Sequence, residues 1–299
     1  MTRVLVTGAG GYVGRQTLPP LAQRGFEIHG MGRRPLDLPG CRWAALDMFD
    51  AAAVAAAIDR IRPSHLLHLA WTTAHGQFWT DPANDAWHHA TIDLVTKFTE
   101  AGGRRCVTVG TCAEYDWSGS EPLSEARTPL RPATPYGEAK ARTFRDVQAR
   151  AAAAGISHAH ARLFFSYGPH EQPQRLVPLI VHALLTGEPA RLTAGAQIRD
   201  FLDVRDVGRC LALLLASEVE GAINVAGGAG VSVARIAGLL GDIVGRPDLI
   251  RLGDRPLPRG EPPSIVADIS RLETDLGAKP AIGLERGLSD AVAWWRDRL

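Results

Sequence analysis

Residues 4–14 read VLVTGAGGYVG. A short apolar run enters a turn in which Gly8, Gly11 and Gly14 are spaced GxxGxxG, and a helical pattern follows directly. No other stretch constrains the fold as much. A tight turn at this place needs residues without a Cβ, and a strand that passes straight into a helix opens a βαβ unit. Glycine also lets backbone approach a pyrophosphate, to which the helix N-terminus offers free N–H groups and a partial positive charge. The residues leave two readings open, an ordinary glycine-rich βα turn and a dinucleotide site. On the second, Gly8, Gly11, Tyr12, Val13 and Gly14 are the cofactor-binding candidates.

The rhythm continues through two thirds of the chain. Strand patterns cover Arg3–Thr7, Glu27–Met31, His65–Ala70 and Cys106–Gly110, and Ile156–Phe164 contains another. Helical patterns cover Val13–Arg24, Asp50–Arg62, Asp85–Ala101 and Tyr136–Ala154, with Asp50 as an N-cap and Pro63 as a stop. This alternation predicts an α/β fold, a doubly wound parallel sheet covered on both faces. Residues 1–164 form the expected nucleotide-binding Rossmann domain. Residues 165–299 form a smaller, Pro- and Gly-rich substrate lobe, with helices at Leu176–Leu185 and Val233–Val244. Arg199–Val207 and Ala222–Val225 are expected to return to the first sheet, over about 200–226.

Composition excludes several functions. With 33 Lys and Arg against 32 Asp and Glu, the net charge is +1, so no basic field exists to gather nucleic acid. No apolar run is long enough to span a bilayer, and the opening residues lack the pattern of a signal peptide. Cys41, Cys106, Cys112 and Cys210 are scattered without a CxxC pair, which argues against a disulfide framework and a zinc site. The expectation is a cytoplasmic protein with no metal and no nucleic-acid or membrane partner.

Cofactor choice turns on the end of the second strand. An NAD site usually places an acid there for the ribose hydroxyls. This chain has Gly32-Arg33-Arg34, two cations that could pair with a 2′-phosphate. NADP is therefore expected over NAD, with solvated surface arginines as the alternative. Asp47 and Met48, after the third strand, are candidates near the adenine.

Tyr136 and Lys140 stand at i and i+4 of one helix and share a face. A free phenol is a poor base at neutral pH, but an adjacent ammonium and a nicotinamide cation would favour the phenolate. Such a phenol can give a proton to a carbonyl as hydride arrives, or take one from an alcohol. A buried Tyr beside a surface Lys is the bland alternative.

Taken together, these features give a chain that resembles the extended short-chain dehydrogenase/reductase family, the branch of nucleotide-sugar epimerases, dehydratases and ketoreductases. The resemblance rests on Gly8–Gly14, His68-Leu69-Ala70, Tyr136 with Lys140, Arg162…Gly168-Pro169, Arg199-Asp200-Phe201…Asp206-Val207 and Asn224-Val225-Ala226-Gly227. It implies a catalytic set of Thr111, Tyr136 and Lys140, with Lys140 also on the nicotinamide ribose. Leu69, Ala70 and Phe164 would line the cofactor. Arg199 and Arg259 would meet a substrate diphosphate, with ion pairing to Asp200 or Glu261 as the other reading of each. Trp71, Cys112, Phe165 and Arg175 are further substrate-side candidates. A homodimer formed by the helices at Asp85–Ala101 and Tyr136–Ala154 is also implied.

The chain departs from the family pattern at several positions. Phe165 and Trp87 stand where relatives usually have Asn. Cys112 and Ala113 replace the acidic pair of sugar dehydratases, whose elimination chemistry needs it. Ala113 and Arg175 replace the Cys and His of two-carbon epimerases, with Cys112 and His170 out of register. Ketone reduction with NADPH is the expected reaction. Epimerisation through a transient ketone is the alternative, and a cofactor-binding regulator without catalysis is a third.

Overall fold

The computed structural model describes residues 2–72, 74, 76–119 and 122–299. The first part of the chain runs β1 (Thr2–Thr7), α1 (Tyr12–Gln23), β2 (Phe26–Gly32), β3 (Cys41–Ala45), α2 (Ala51–Ile61) and β4 (His65–His68). It continues through α3 (Ala83–Glu100), β5 (Arg105–Thr111), α4 (Pro135–Ala154) and β6 (Ser157–Leu163). Then follow β7 (Phe165–Tyr167), α5 (Leu176–Thr186), β8 (Ala190–Arg191), β9 (Ile198–Asp203), α6 (Val204–Ala216) and β10 (Gly221–Val225). The last elements are β11 (Gly230–Ser232), α7 (Val233–Val244), β12 (Ile250–Arg251), β13 (Ser264–Ile265), α8 (Ser270–Thr274) and α9 (Leu284–Arg296).

Seven strands form one parallel sheet in the order β10-β6-β5-β4-β1-β2-β3. Val4, Leu5 and Val6 are fully buried in its centre. Leu18 and Leu21 of α1 and Val207, Leu211 and Leu215 of α6 cover one face. Val54 and Ile58 of α2, Leu94 and Phe98 of α3 and Val147 of α4 cover the other. The chain leaves β1 toward β2 on one side and returns to β4 on the other, so a crevice opens between the loops after β1 and β4.

Local chemistry sets the element ends. The Asp50 carboxylate accepts from Ala53 N (3.0 Å) to cap α2. Thr134 accepts from Gly137 N (3.2 Å), Pro135 opens α4, and Gly155 at φ 65° closes it. Pro19 and Pro20 lie inside α1. Pro20 has no N–H for the Gln16 carbonyl, and α6 crosses at that point through Gly208.

Ala222–Val225 returns to the sheet as expected, inside β10 beside β6. Arg199–Val207 does not. Ile198–Asp203 pairs with β7, β11 and β13 in a second sheet, and the chain turns helical at Val204. The cause is polar. Asp200 is fully buried and accepts from Gly227 N (2.6 Å), Gly228 N (2.9 Å) and Ala267 N (3.1 Å), which pins β9 to the lobe junction. Asp203 accepts from Arg205 N (2.9 Å) and starts α6. A second core, with Ile180, Val181, Ile236, Leu240, Leu288 and Val292, joins α5, α7 and α9.

Candidate functional site

The three turn glycines have distinct roles. At Gly8 (φ 69°) a Cβ would lie 2.9 Å from Ala70 N, so the turn and the loop after β4 touch backbone to backbone. At Gly14 a Cβ would lie 2.2 Å from the Gly8 carbonyl, which fixes helix against strand. At Gly11 only the Gly8 carbonyl is near, at 3.1 Å. Gly11 is the N-cap of α1, no side chain caps that helix, and no acid stands in its first turn. Its first N–H groups, at Tyr12, Val13 and Gly14, are therefore suited to an anion, and these residues fit a pyrophosphate.

Thr7 Oγ1 accepts from Leu69 N (3.2 Å) and Ala70 N (3.3 Å), so the second wall of the crevice is pinned to the first. His68 pairs with Thr7 through Nδ1 (2.7 Å) and with Thr91 through Nε2 (2.9 Å). Burial and the Lys140 charge push its pKa down to about 3, which keeps it neutral. Arg33 and Arg34 are exposed past the end of β2 and make no ion pair among the described residues. Asp47 is exposed and accepts from Phe49 N (3.0 Å), while Met48 is buried.

Thr111 ends β5, and its hydroxyl lies near enough to the Tyr136 phenol to lower that phenol's pKa. Tyr136 is half-buried, edge-on to Phe78 (4.9 Å) and Trp79 (5.8 Å), and its N–H donates to the Trp79 carbonyl (3.1 Å). Burial raises the phenol above its ordinary pKa, and the Thr111 hydroxyl and Arg175 only partly offset this. In the chain alone, desolvation of the phenolate outweighs the pull of Arg175. Lys140 is buried, donates to the Val109 carbonyl (2.9 Å) and lies 3.7 Å from the centre of the Trp71 ring. Burial pushes its pKa down to about 7 against the pull of Glu114.

The substrate-side candidates divide. Trp71 covers Lys140, donates to Asn84 Oδ1 (2.8 Å) and stacks on Trp87 at 6.2 Å. Cys112 is buried beside Thr111, and burial pushes its thiol up to about 12. Phe164 is buried in a cluster with Cys112 and Tyr115. Arg175 is half-buried, 5.5 Å over Phe78, and acts on Tyr136 and Tyr12. Tyr12, although part of the glycine turn, sends its buried hydroxyl toward Glu171, Ser166 and Asp203. Arg199 is buried, lies 5.6 Å over Phe165 and is ion-paired with Glu261, not with Asp200. Arg259 is exposed.

Sequence reasoning missed Thr7, Asn84 and Glu114. Asn84 sits on α3 one turn before Trp87 and donates to the Phe78 carbonyl (2.8 Å), holding the Tyr136 wall. Glu114 is fully buried against His160 (3.0 Å) and Arg162 (2.8 Å). Its signal was present. His158, His160 and Arg162 alternate on one face of β6, and buried polar groups at period two need partners.

No helix among the described residues is long and apolar enough to cross a membrane. A family model described as the NAD dependent epimerase/dehydratase family matches residues 4–226. The chain is 26% identical over 280 residues to the dTDP-glucose 4,6-dehydratase of Salmonella typhimurium, covering 83% of this chain and 77% of that one. It is 25% identical over 323 residues to the UDP-glucose 4-epimerase of Rhizobium leguminosarum bv. trifolii, covering 97% and 96%. Among solved structures, UDP-glucose 4-epimerase of Thermotoga maritima with UDP-glucose matches at TM-score 0.89, 23% identity and 99% of both chains. MoeE5 in complex with UDP-glucuronic acid and NAD matches at TM-score 0.85 and 29% identity, over 99% of this chain and 100% of that one.

Proposed function

The chain belongs to the NAD dependent epimerase/dehydratase family, the extended short-chain dehydrogenases/reductases, and on that footing we propose that it reduces a keto group, at C4, of a nucleotide-linked sugar with NADPH. The observation that carries this reading is the Thr111–Tyr136–Lys140 group with no acid at the two positions that follow Thr111. Cys112 and Ala113 are buried and follow Thr111 directly. Water elimination needs a further acid and base, whereas reduction needs one proton and one hydride. Tyr136, held protonated by burial, gives its proton to the carbonyl oxygen. Thr111 donates a hydrogen bond to the same oxygen. The nicotinamide, when bound, supplies the hydride.

Gly8, Gly11 and Gly14 with the N–H groups of Tyr12 and Val13 would hold the pyrophosphate, and Leu69 and Ala70 the opposite wall. Lys140 would bind the nicotinamide ribose, and Asp47 and Met48 would flank the adenine. Solved relatives hold NAD, but the free Arg33 and Arg34 favour a 2′-phosphate here. Relatives bound to UDP-glucose and UDP-glucuronic acid support a nucleotide-sugar substrate. Arg175 and Arg259, and Arg199 once exchanged from Glu261, are the cations for its diphosphate. Pairing of two copies across α3 and α4 belongs to the same proposal.

The 4-epimerases among the relatives favour a second reading, epimerisation through a transient ketone, because it uses the same three side chains. Incubation with UDP- and dTDP-linked 4-keto-6-deoxyglucose, followed by nicotinamide absorbance, separates the two. Stoichiometric NADPH consumption is expected. Interconversion of UDP-glucose and its 4-epimer with retained cofactor and no net oxidation would overturn the reductase.

A further inference from the structure

Behind the reacting side chains lies a buried polar network that the reaction as described does not use. Glu114 follows the last residue of β5 by three positions and is fully buried. Its Oε1 accepts from Thr111 N (2.9 Å) and pairs with His160 Nε2 (3.0 Å), and its Oε2 accepts from Arg162 Nε (2.8 Å). Thr111 Oγ1 in turn accepts from Ala113 N (3.2 Å), so the two side chains close a capping box around a single helical turn, Cys112–Glu114. The space is made for this carboxylate. At Gly110 a Cβ would lie 2.1 Å from both Glu114 Oε1 and His160 Nε2.

The anchor extends outward. Arg162 donates to Tyr115 Oη (2.9 Å), and Tyr115 donates to Asn224 Oδ1 (2.8 Å). Asn224 donates to the carbonyls of Leu123 (2.8 Å) and Asp268 (3.0 Å). His160 pairs through Nδ1 with Thr108 (2.7 Å), which also meets His158 (2.9 Å).

We propose that Glu114 is a positioning residue of the active site: seated on Gly110 and tied to His160 and Arg162, it holds Thr111, and through Thr111 the Tyr136 hydroxyl, in the reacting direction. Because Thr111 Oγ1 already accepts from Ala113 N, its proton is left to donate toward Tyr136 or the substrate oxygen. The carboxylate also acts by its charge. Buried and held at about 2 by His160 and Arg162, it stays ionised, and it raises the pKa of both Tyr136 and Lys140 on α4. The other groups facing it are neutral: Thr108 on β5, and Cys112 and Tyr115, whose pKa values burial raises. The inference rests on Thr111, Tyr136 and Lys140 being the reacting set, and holds for reduction and epimerisation alike.

The test is a double-mutant cycle on the full chain with NADPH and dTDP-4-keto-6-deoxyglucose, or with UDP-glucose read as epimerisation if the wild type acts only there. Glu114→Gln keeps an acceptor oxygen for Thr111 N and removes the charge. It should lower kcat roughly tenfold, leave KM within about twofold, and move the alkaline limb of the pH–rate profile for reduction, where Tyr136 and Lys140 lose their protons, to lower pH. Added to Thr111→Ala at a pH below the alkaline limb, where the charge effect does not change protonation, it should cost almost nothing more in kcat, because the positioning acts through one hydroxyl. Multiplying effects, or an unmoved pH profile, would overturn the proposal. If Glu114→Gln does not fold, Glu114→Gln with Arg162→Met removes both buried charges and takes its place. Unfolding of both makes Glu114 a structural residue and overturns the proposal as well. Tyr136→Phe runs in parallel: full activity there, or a wild type inactive on both substrates, removes the underlying reading, whereas a dead Tyr136→Phe beside an unaffected Glu114→Gln removes only the positioning role.

Discussion

Tyr136 is held by the edges of Phe78 and Trp79 and by its own backbone N–H, so its hydroxyl is the one part that touches chemistry rather than packing. Tyr136→Phe should leave the melting temperature and cofactor affinity near wild type and lower turnover by roughly 10²–10⁴-fold, the usual worth of a positioned acid. Near-normal turnover, measured by NADPH absorbance, would remove Tyr136 as proton donor. Arg33 belongs to a different part of the crevice. In the proposed NADP site, losing an Arg33 bond to the 2′-phosphate should cost roughly 1.5–3 kcal/mol, so Arg33→Ala should weaken NADP(H) far more than NAD(H) in fluorescence titrations. Equal losses would assign Arg33 to the solvent. Residues with a chemical signature were legible from the chain alone: the glycine triplet, Thr111, and Tyr136 with Lys140 come together at one end of the sheet. Direction of charge effects was not. The spacing of Tyr136 and Lys140 does not show how burial raises the phenol in the chain alone, because that burial comes from Phe78 and Trp79, which reach the site from the loop after β4. Glu114 escaped for a related reason: its partners on β6 lie about 50 positions away, so local spacing does not expose the pairing.

At the scale of elements, the parallel sheet was readable because most of its strands are short apolar runs bounded by turn residues, and α2 and α4 carry side-chain caps at Asp50 and Thr134. The second lobe was not, since β8, β12 and β13 have two residues each and show no period. Arg199–Val207 misleads because its apolar residues continue across the strand–helix boundary at Asp203. Helix–helix contacts were also hidden. In α1, Pro20 leaves the Gln16 carbonyl without its helical donor, and α6 lays Gly208 against that carbonyl, where a Cβ would sit at 2.2 Å. Gly208→Ala gains a better helix former but drives α6 off α1. Overpacking of this kind costs roughly 1–3 kcal/mol, so the variant should melt several degrees below wild type with its cofactor affinity retained. A melting temperature equal to or above wild type would show that the two helices can part without loss.

Across the whole molecule, buried histidines decide how stability responds to acid. Burial pushes His68 and His158 down to about 3 and lowers His160, and desolvation also lowers His65, His88 and His170. A histidine whose folded pKa lies below its unfolded value of about 6.5 keeps its contribution above that pH. The contribution is lost as pH falls toward the folded pKa, because only the unfolded chain then takes up the proton. Three carboxyls work the other way. Burial raises Glu171 to about 8, Asp200 to about 6, and Glu125 by a smaller amount. Each holds a proton in the fold that the unfolded chain gives up until its own lower pKa, so each adds stability as pH falls. Between pH 6.5 and 4.5, among the described residues, six histidines oppose three carboxyls, while the window of Lys140 lies above pH 7 and that of Glu114 below 4.5. The histidines should win. A fully buried one changes stability by about 1.4 kcal/mol per pH unit, so the melting temperature of the chain without nucleotide should fall steadily from pH 6.5 to 4.5. His158 is suited to test this. It is buried, and among the described residues its Nδ1 has no hydrogen-bond partner and its Nε2 meets only Thr108 (2.9 Å), so His158→Gln removes a titrating ring and leaves the reacting side chains in place. That variant should show a shallower acid slope by close to one proton. A melting temperature that holds or rises on acidification, or an unchanged slope in His158→Gln, would mean that the histidines are protonated in the fold and that their burial does not control its acid stability.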